Sequence, residues 1–285
     1  NKTGQIIKKL KVEKPVEVLF EGGDLTKYKQ VKSTFDLSQV KESFCFLFVG
    51  HWLQGNFGQD RKNVGYMIKS FLESFKNKKD APALLLKTST GTTSILDQTK
   101  VLKKIDEVRK TVKGKLPNIY LLHGDVSDSE INNLYNHDKV KAMVCVTKGE
   151  GFGRPLLEFS FINKPILASA WSGQTDFLDP QFAYMVGGEL TQIDKSAAVK
   201  DVLIPESSWF TPNDAEVARG YKDIFKNYKK YANSAKRLGH KNRTNFSYEK
   251  MVDKLKEYFE AYIPEMPKQV ELSLPKLDLP TLKKV

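Results

Sequence analysis

The chain has 285 residues, a formal net charge of +12, 40% hydrophobic residues and 28% charged ones. That size fits one large or two small globular domains. No run reaches the roughly 18 apolar residues of a membrane span, and no leader peptide is visible, which points to a cytoplasmic protein. The basic excess admits an acidic partner such as DNA or anionic lipid. However, 40 of the 46 basic residues are Lys and they are spread along the whole chain. Arg is the usual reader of base edges, so a solvated lysine surface is the simpler account. Cys45 and Cys145 both sit in apolar runs and read as buried, reduced thiols rather than a disulfide or metal site.

In chain order, residues 1–40 precede the first predicted strand and read as an interdomain linker or the remnant of a preceding domain. The apolar run Phe44–Gly50 predicts a central strand buried on both faces. Between 63 and 76, Val64, Met67, Ile68, Phe71, Leu72 and Phe75 recur at helical spacing. A strand near Ala83–Lys87, a helix near 95–111 and a strand at Ile119–Leu122 follow. Ser127-Asp128-Ser129-Glu130 is a capping box for a short helix carrying Ile131, Leu134 and Tyr135. Strand 142–146, helix 154–163 and strand 165–169 complete an alternation that predicts an α/β, doubly wound, parallel Rossmann-like sheet. Ligands of such sheets lie beyond the C-terminal strand ends. Helices are then predicted at 213–229, 231–239 and 247–262. Pro264, Pro267, Pro275 and Pro280 make the tail an extended arm. The expected division is linker 1–40, nucleotide-binding domain 41–245, a final helix 246–262 and a tail 263–285.

Most informative is Lys148-Gly149-Glu150-Gly151-Phe152-Gly153-Arg154-Pro155-Leu156-Leu157-Glu158, directly after the apolar run 142–146. A strand, a glycine turn and a helix with Pro155 in its first turn form a ready anion site. The carboxylates of Glu150 and Glu158, with seven residues between them, flank it. Diphosphate for the turn and vicinal hydroxyls for the carboxylates are the parts of a nucleotide-diphosphate sugar. Gly149–Gly153 lacks the spacing of a dinucleotide fingerprint, which argues against hydride transfer.

This segment resembles the Glu-x7-Glu signature of retaining GT-B glycosyltransferases of family 4, also called glycosyl transferases group 1. The resemblance extends to Leu122–Ser127 and Lys164–Ala168 and covers about residues 16 to 262. Gly50-His51-Trp52-Leu53, Asp60–Asn63 and Trp171–Gln174 are worded most like members from tailed bacteriophages. It implies the C-terminal, donor-binding half of the fold, which transfers a hexose to an acceptor hydroxyl with retention, needs no metal or other cofactor, and works in the host cytoplasm if viral. An N-terminal acceptor domain is then expected to be missing from this chain or to lie on another. The acceptor stays open between modified DNA and a saccharide or other group. A non-catalytic virion or scaffold protein reusing such a domain is the alternative.

By the same resemblance, Glu158 reaches the ribose diol and Glu150 the transferred sugar, while Arg61 and Lys62 stabilise the leaving diphosphate with the amides of Gly151, Phe152 and Gly153. Leu157, Gly50, Lys87, His123, Gly124, Ser172 and Gly173 complete the expected donor site. His51 stands where the family has Arg, so it contacts phosphate, contacts acceptor or packs its loop. Arg154 is either a further phosphate contact or a solvated residue. For His123 a structural role and a ligand role stay equally open. Trp52 and Trp171 read as packing or stacking surfaces.

Overall fold

Five apolar residues, Cys45–Val49, form strand β1 at the middle of the sheet, and Phe46, Leu47 and Phe48 are wholly buried there. The computed structural model describes residues 15–55, 57–200, 202–203 and 206–263. The first part of the predicted linker and, past Ile263, the predicted arm fall outside them. From β1 the chain alternates through α1 (Val64–Phe75), β2 (Ala83–Lys87), α2 (Ile95–Lys110), β3 (Ile119–Leu122) and α3 (Asp128–Asn136). It continues through β4 (Val140–Cys145), α4 (Arg154–Ser160), β5 (Ile166–Ser169) and β6 (Tyr184–Val186). The strand order is β3-β2-β1-β4-β5-β6, and every pairing is parallel. This is the predicted α/β arrangement, extended by β6.

On one face of the sheet an aromatic cluster anchors α1 and the later helix α5 (Asp214–Lys226). The Phe46 and Tyr221 rings meet edge to face at 4.9 Å, and Phe71 lies 5.5 Å from Tyr221. The Tyr221 hydroxyl donates to the Met67 carbonyl at 3.3 Å, so its one polar atom has a partner. Each such fully buried ring contributes about 1.5–3 kcal/mol. On the other face Tyr135 of α3 meets Phe159 of α4 at 5.3 Å, near-perpendicular.

The predicted capping box is present in full. Glu130 N–H donates to Ser127 Oγ at 3.2 Å, and Ser127 N–H donates to Glu130 Oε2 at 2.7 Å. Cys45 and Cys145 are buried and free. Several boundaries differ from expectation, and one element was missed. Helix α4 stops at Ser160 instead of 163, because Phe161, Ile162 and Asn163 donate three residues back and Asn163 turns left-handed at φ 62°. Gly239 does not end its helix: α6 runs Tyr228–Asn245 through it. A Cβ there would lie 2.1 Å from Asn163 Oδ1 and 2.6 Å from the Ser160 carbonyl, so this glycine permits α6 to press against the end of α4. The antiparallel pair β7 (Gly188–Gln192) and β8 (Ser208–Pro212) carries its own small core of Ile193, Ala197 and Trp209, and was not foreseen.

The segment before β1 is clipped across α3 by asparagine side chains. Lys29, Val31 and Thr34 donate their amides to Asn132, Asn136 and Asn133 at 3.2, 3.0 and 3.0 Å. Further back, Gly23 and the stretch Phe246–Tyr248 exchange backbone hydrogen bonds of 2.8 and 2.9 Å, which sets the start of α7 (Tyr248–Tyr262). Helix α7 buries none of its residues. Among the described residues no helix is long and apolar enough to cross a membrane.

Candidate functional site

The C-terminal ends of β1, β2, β3 and β4 open on a cleft of about 370 Å³ lined by Gly50, His51, Lys62, Lys87 and Glu158, with Tyr28, Thr88, Asp128 and Tyr135 among the others. A larger cavity, about 690 Å³, lies between Gly58–Tyr66 and the β7–β8 pair. None of the predicted site residues lines that one, so the smaller cleft is the candidate site.

Glu158 occupies the helix α4 face one turn inside its start and is buried. Burial pushes its carboxyl up to about 7, against the opposing pull of the Arg154 guanidinium 3.3 Å away. Arg154 itself is largely solvated. With the solvated Arg154 guanidinium and the Tyr28 hydroxyl as its side-chain partners, the buried carboxylate keeps further acceptor capacity, as diol recognition requires.

Glu150 sits in the glycine loop and forms an ion pair with Lys62, both side chains only about 15% exposed. The other predicted cations are also held by the protein. Arg61 donates to the Gly149 carbonyl, and Lys87 donates to the Gly124 carbonyl at 2.6 Å, its ammonium pKa lowered by burial. His51 is exposed, with Nδ1 3.0 Å from Ser89 Oγ.

The loops after β4 and β5 are locked together. Gly173 N–H donates to the Glu150 carbonyl at 3.0 Å, and Ser172 Oγ bonds both the amide and the carbonyl of Glu150. Ser172 does this at φ 71° and ψ −161°, a conformation normally reserved for glycine. Gly153 starts α4 at φ 97°. A Cβ on Gly173 would lie 1.9 Å from the Gly151 carbonyl oxygen. Gly173→Ala should therefore lower stability by about 1–3 kcal/mol, the cost of overpacking, and should move Glu150. Thermal denaturation with nucleotide titration checks this; a variant unchanged in both would show that the two loops are independent.

Other predicted residues lie elsewhere. The Leu157 and Phe152 side chains are buried, Phe152 against Phe177 at 5.1 Å, so only their backbone can face a ligand. His123 turns away into a buried cluster in which its Nε2 lies 2.9 Å from Asp97. Burial alone would raise the Asp97 carboxyl; the hydrogen bonds from Thr90 and His123 outweigh it and hold it at about 2. That arrangement is the structural alternative for His123. Trp52 is buried, and Trp171 stacks on Phe210 at 5.5 Å and 3°.

Among the cleft residues not foreseen as site residues are Tyr28, Thr88, Asp128 and Tyr135. Tyr28 comes from the linker, its hydroxyl 3.1 Å from Asp128. Asp128 was legible only as part of a capping box. The sequence held no signal for Tyr28, since its neighbour in space is a hundred residues away. Lys148 was read with the glycine loop but points the other way, buried in the larger cavity, where its ammonium donates to the Gly58 carbonyl at 2.7 Å and lies 4.9 Å over the Trp209 ring.

No family model and no curated protein matches the chain. Solved structures do match it in fold. The C-terminal domain of a glycosyl transferase group 1 family protein from Francisella tularensis superposes with a TM-score of 0.55 at 13% identity, over 80% of this chain and 100% of that one. HepE from Anabaena, solved with UDP and glucose, gives 0.58 at 14% identity over 86% of this chain and 57% of that one. Sucrose-phosphate synthase from Thermosynechococcus elongatus gives 0.57 at 14% identity over 86% and 52%. The chain thus spans the whole of the isolated domain but little more than half of the longer proteins. Six parallel strands in the order found here, flanked by helices, make this the Rossmann-like fold of GT-B glycosyltransferase C-terminal domains.

Proposed function

We propose that this chain is the donor-binding part of a glycosyltransferase that moves a hexose from a nucleotide-diphosphate sugar to an acceptor hydroxyl with retention of configuration. The observation that carries the reading is the cleft itself: buried Glu158, Lys62 and Lys87 line it at the strand ends, and Lys62 pairs with Glu150 of the adjoining glycine loop. The donor's ribose hydroxyls donate to Glu158, and the sugar hydroxyls to Glu150. Arg61, Lys62 and Lys87 exchange their present protein acceptors for the diphosphate. The charge that develops on the leaving diphosphate is thereby met by these cations and the loop amides. On one face of the sugar the same diphosphate takes the acceptor proton, so the reading needs no protein nucleophile and no metal. An acceptor-binding domain completes the cleft, and the setting is a bacteriophage enzyme in host cytoplasm. HepE, solved with UDP-glucose, shares the fold, which supports the substrate class.

A nucleoside diphosphate at about 100 times its dissociation constant should stabilise the fold by roughly 2.7 kcal/mol. That corresponds to a rise of several degrees in melting temperature. If saturating diphosphates of all the common nucleosides leave the melting temperature unchanged, the donor site is mis-assigned.

A further inference from the structure

Asp128 is the first residue of α3, yet that helix start is already capped by Ser127 and Glu130. Its carboxylate is instead held at the cleft by Lys27 Nζ at 2.8 Å and the Tyr28 hydroxyl at 3.1 Å, donors that keep it ionised. Each carboxylate oxygen has two lone-pair sites, so each keeps one for a ligand. Val126 and Ile131 supply apolar wall beside it. Tyr135 lines the same cleft, and its buried hydroxyl has no partner among the described residues. Such groups are rare in folded proteins and call for a ligand or water. Asp128 is also near enough to Glu158 to help raise its pKa, so the two carboxylates read adjoining parts of one ligand.

We propose that the cleft selects a guanine nucleotide, with the Asp128 carboxylate accepting from N1–H and the N2 amino group of the base. This rests on the donor-site reading above. The chemistry of the base edges decides between the nucleotides. Guanine presents two adjacent donors, which match both oxygens of a carboxylate in a bidentate pair. Uracil presents one donor between two carbonyl oxygens, and those oxygens are repelled by a carboxylate. Adenine and cytosine each present one amino donor beside an acceptor nitrogen. Only guanine satisfies the carboxylate with two bonds. Asp128 is then the specificity-determining residue, and Tyr28 and Lys27 hold it in place.

Calorimetric titration of the full chain with GDP, UDP, ADP and inosine diphosphate tests this. GDP should bind at least about tenfold more tightly than UDP and ADP, the discrimination expected of hydrogen bonds to a charged group. Inosine diphosphate keeps N1–H but lacks the N2 amino group, and should bind about tenfold more weakly than GDP. Asp128→Asn, with its fold checked by thermal denaturation, should weaken GDP about 10- to 100-fold while UDP changes less than about threefold. UDP or ADP binding as well as GDP would overturn the proposal, as would equal binding of inosine diphosphate and GDP. Equal weakening of all diphosphates in Asp128→Asn would also overturn it, reducing Asp128 to a brace for Tyr28. Absence of binding by every diphosphate would remove the donor site itself and this proposal with it; the other failures leave the donor site standing.

Discussion

Glu158→Gln should make the ligand-free protein more stable at pH 8 and bind nucleotide worse. Burial raises the Glu158 carboxyl from its ordinary 4.5 to about 7. Ionising it in the folded state therefore costs up to about 3 kcal/mol at 1.36 kcal/mol per pKa unit. The sign follows from proton binding. Between pH 4.5 and 7 the folded state holds a proton that the unfolded state has released, so stability falls as pH rises through that window. Below it the cost is absent, and above it the cost is complete. Glutamine carries no charge to bury and should raise the melting temperature by several degrees at pH 8 and hardly at all at pH 4. Loss of the charged acceptor should weaken nucleotide binding by about 1.5–3 kcal/mol. For the unsubstituted protein the same titration predicts tighter nucleotide binding above pH 7 than below it. Melting curves at the two pH values, with and without diphosphate, check all three effects. A variant less stable than the parent at pH 8 would show that Glu158 is satisfied by the protein and is not poised for a ligand.

Glu150→Gln should have the opposite effect on binding: affinity for a nucleoside diphosphate should rise. Sequence reasoning alone places Glu150 on the sugar and expects no change. In the structure Glu150 neutralises Lys62, the cation that the proposed mechanism gives to the diphosphate. Removing one member of a mostly buried pair leaves the other charge uncompensated, and an incoming diphosphate relieves it. A gain of about three- to tenfold fits one charge-assisted contact that no longer has to be broken. The ligand-free fold should lose about 1–2 kcal/mol, and turnover of the complete enzyme should fall because the sugar loses its acceptor. Titration with the diphosphate alone separates the two roles: weaker binding would show that Glu150 itself holds the nucleotide, and unchanged binding that the ion pair opens at no cost.

The inner strands were legible because they are buried on both faces. Cys45–Val49 and Ala83–Leu86 read as unbroken apolar runs, and the Ser127–Glu130 box fixed a helix start to the residue. The β7–β8 pair was not legible: four of the five β7 residues are exposed, so no apolar pattern marks it. In the site, the motif located Glu150 and Glu158 because their spacing is local. What the motif could not give was partner choice. That Lys62 pairs with Glu150, that His123 turns to Asp97 and that Tyr28 walls the cleft are contacts across 88, 26 and, for Tyr28 with Asp128, 100 positions. They depend on tertiary packing alone. Gly239 shows the same limit in reverse, since a glycine that looks like a helix end serves close packing instead.

The asparagine clip on α3 bears on the order of events at the ribosome. Residues 28–34 are made before the side chains that receive their amides, since Asn132, Asn133 and Asn136 are encoded about a hundred positions later. At about 5–20 residues per second the segment waits roughly 5–20 seconds for its seat. Glu158, made later still, cannot share a ligand with Tyr28 and Asp128 until that seat is filled. Nucleotide would then arrive as a late reporter of assembly, rewarding only chains whose clipped segment has found its place.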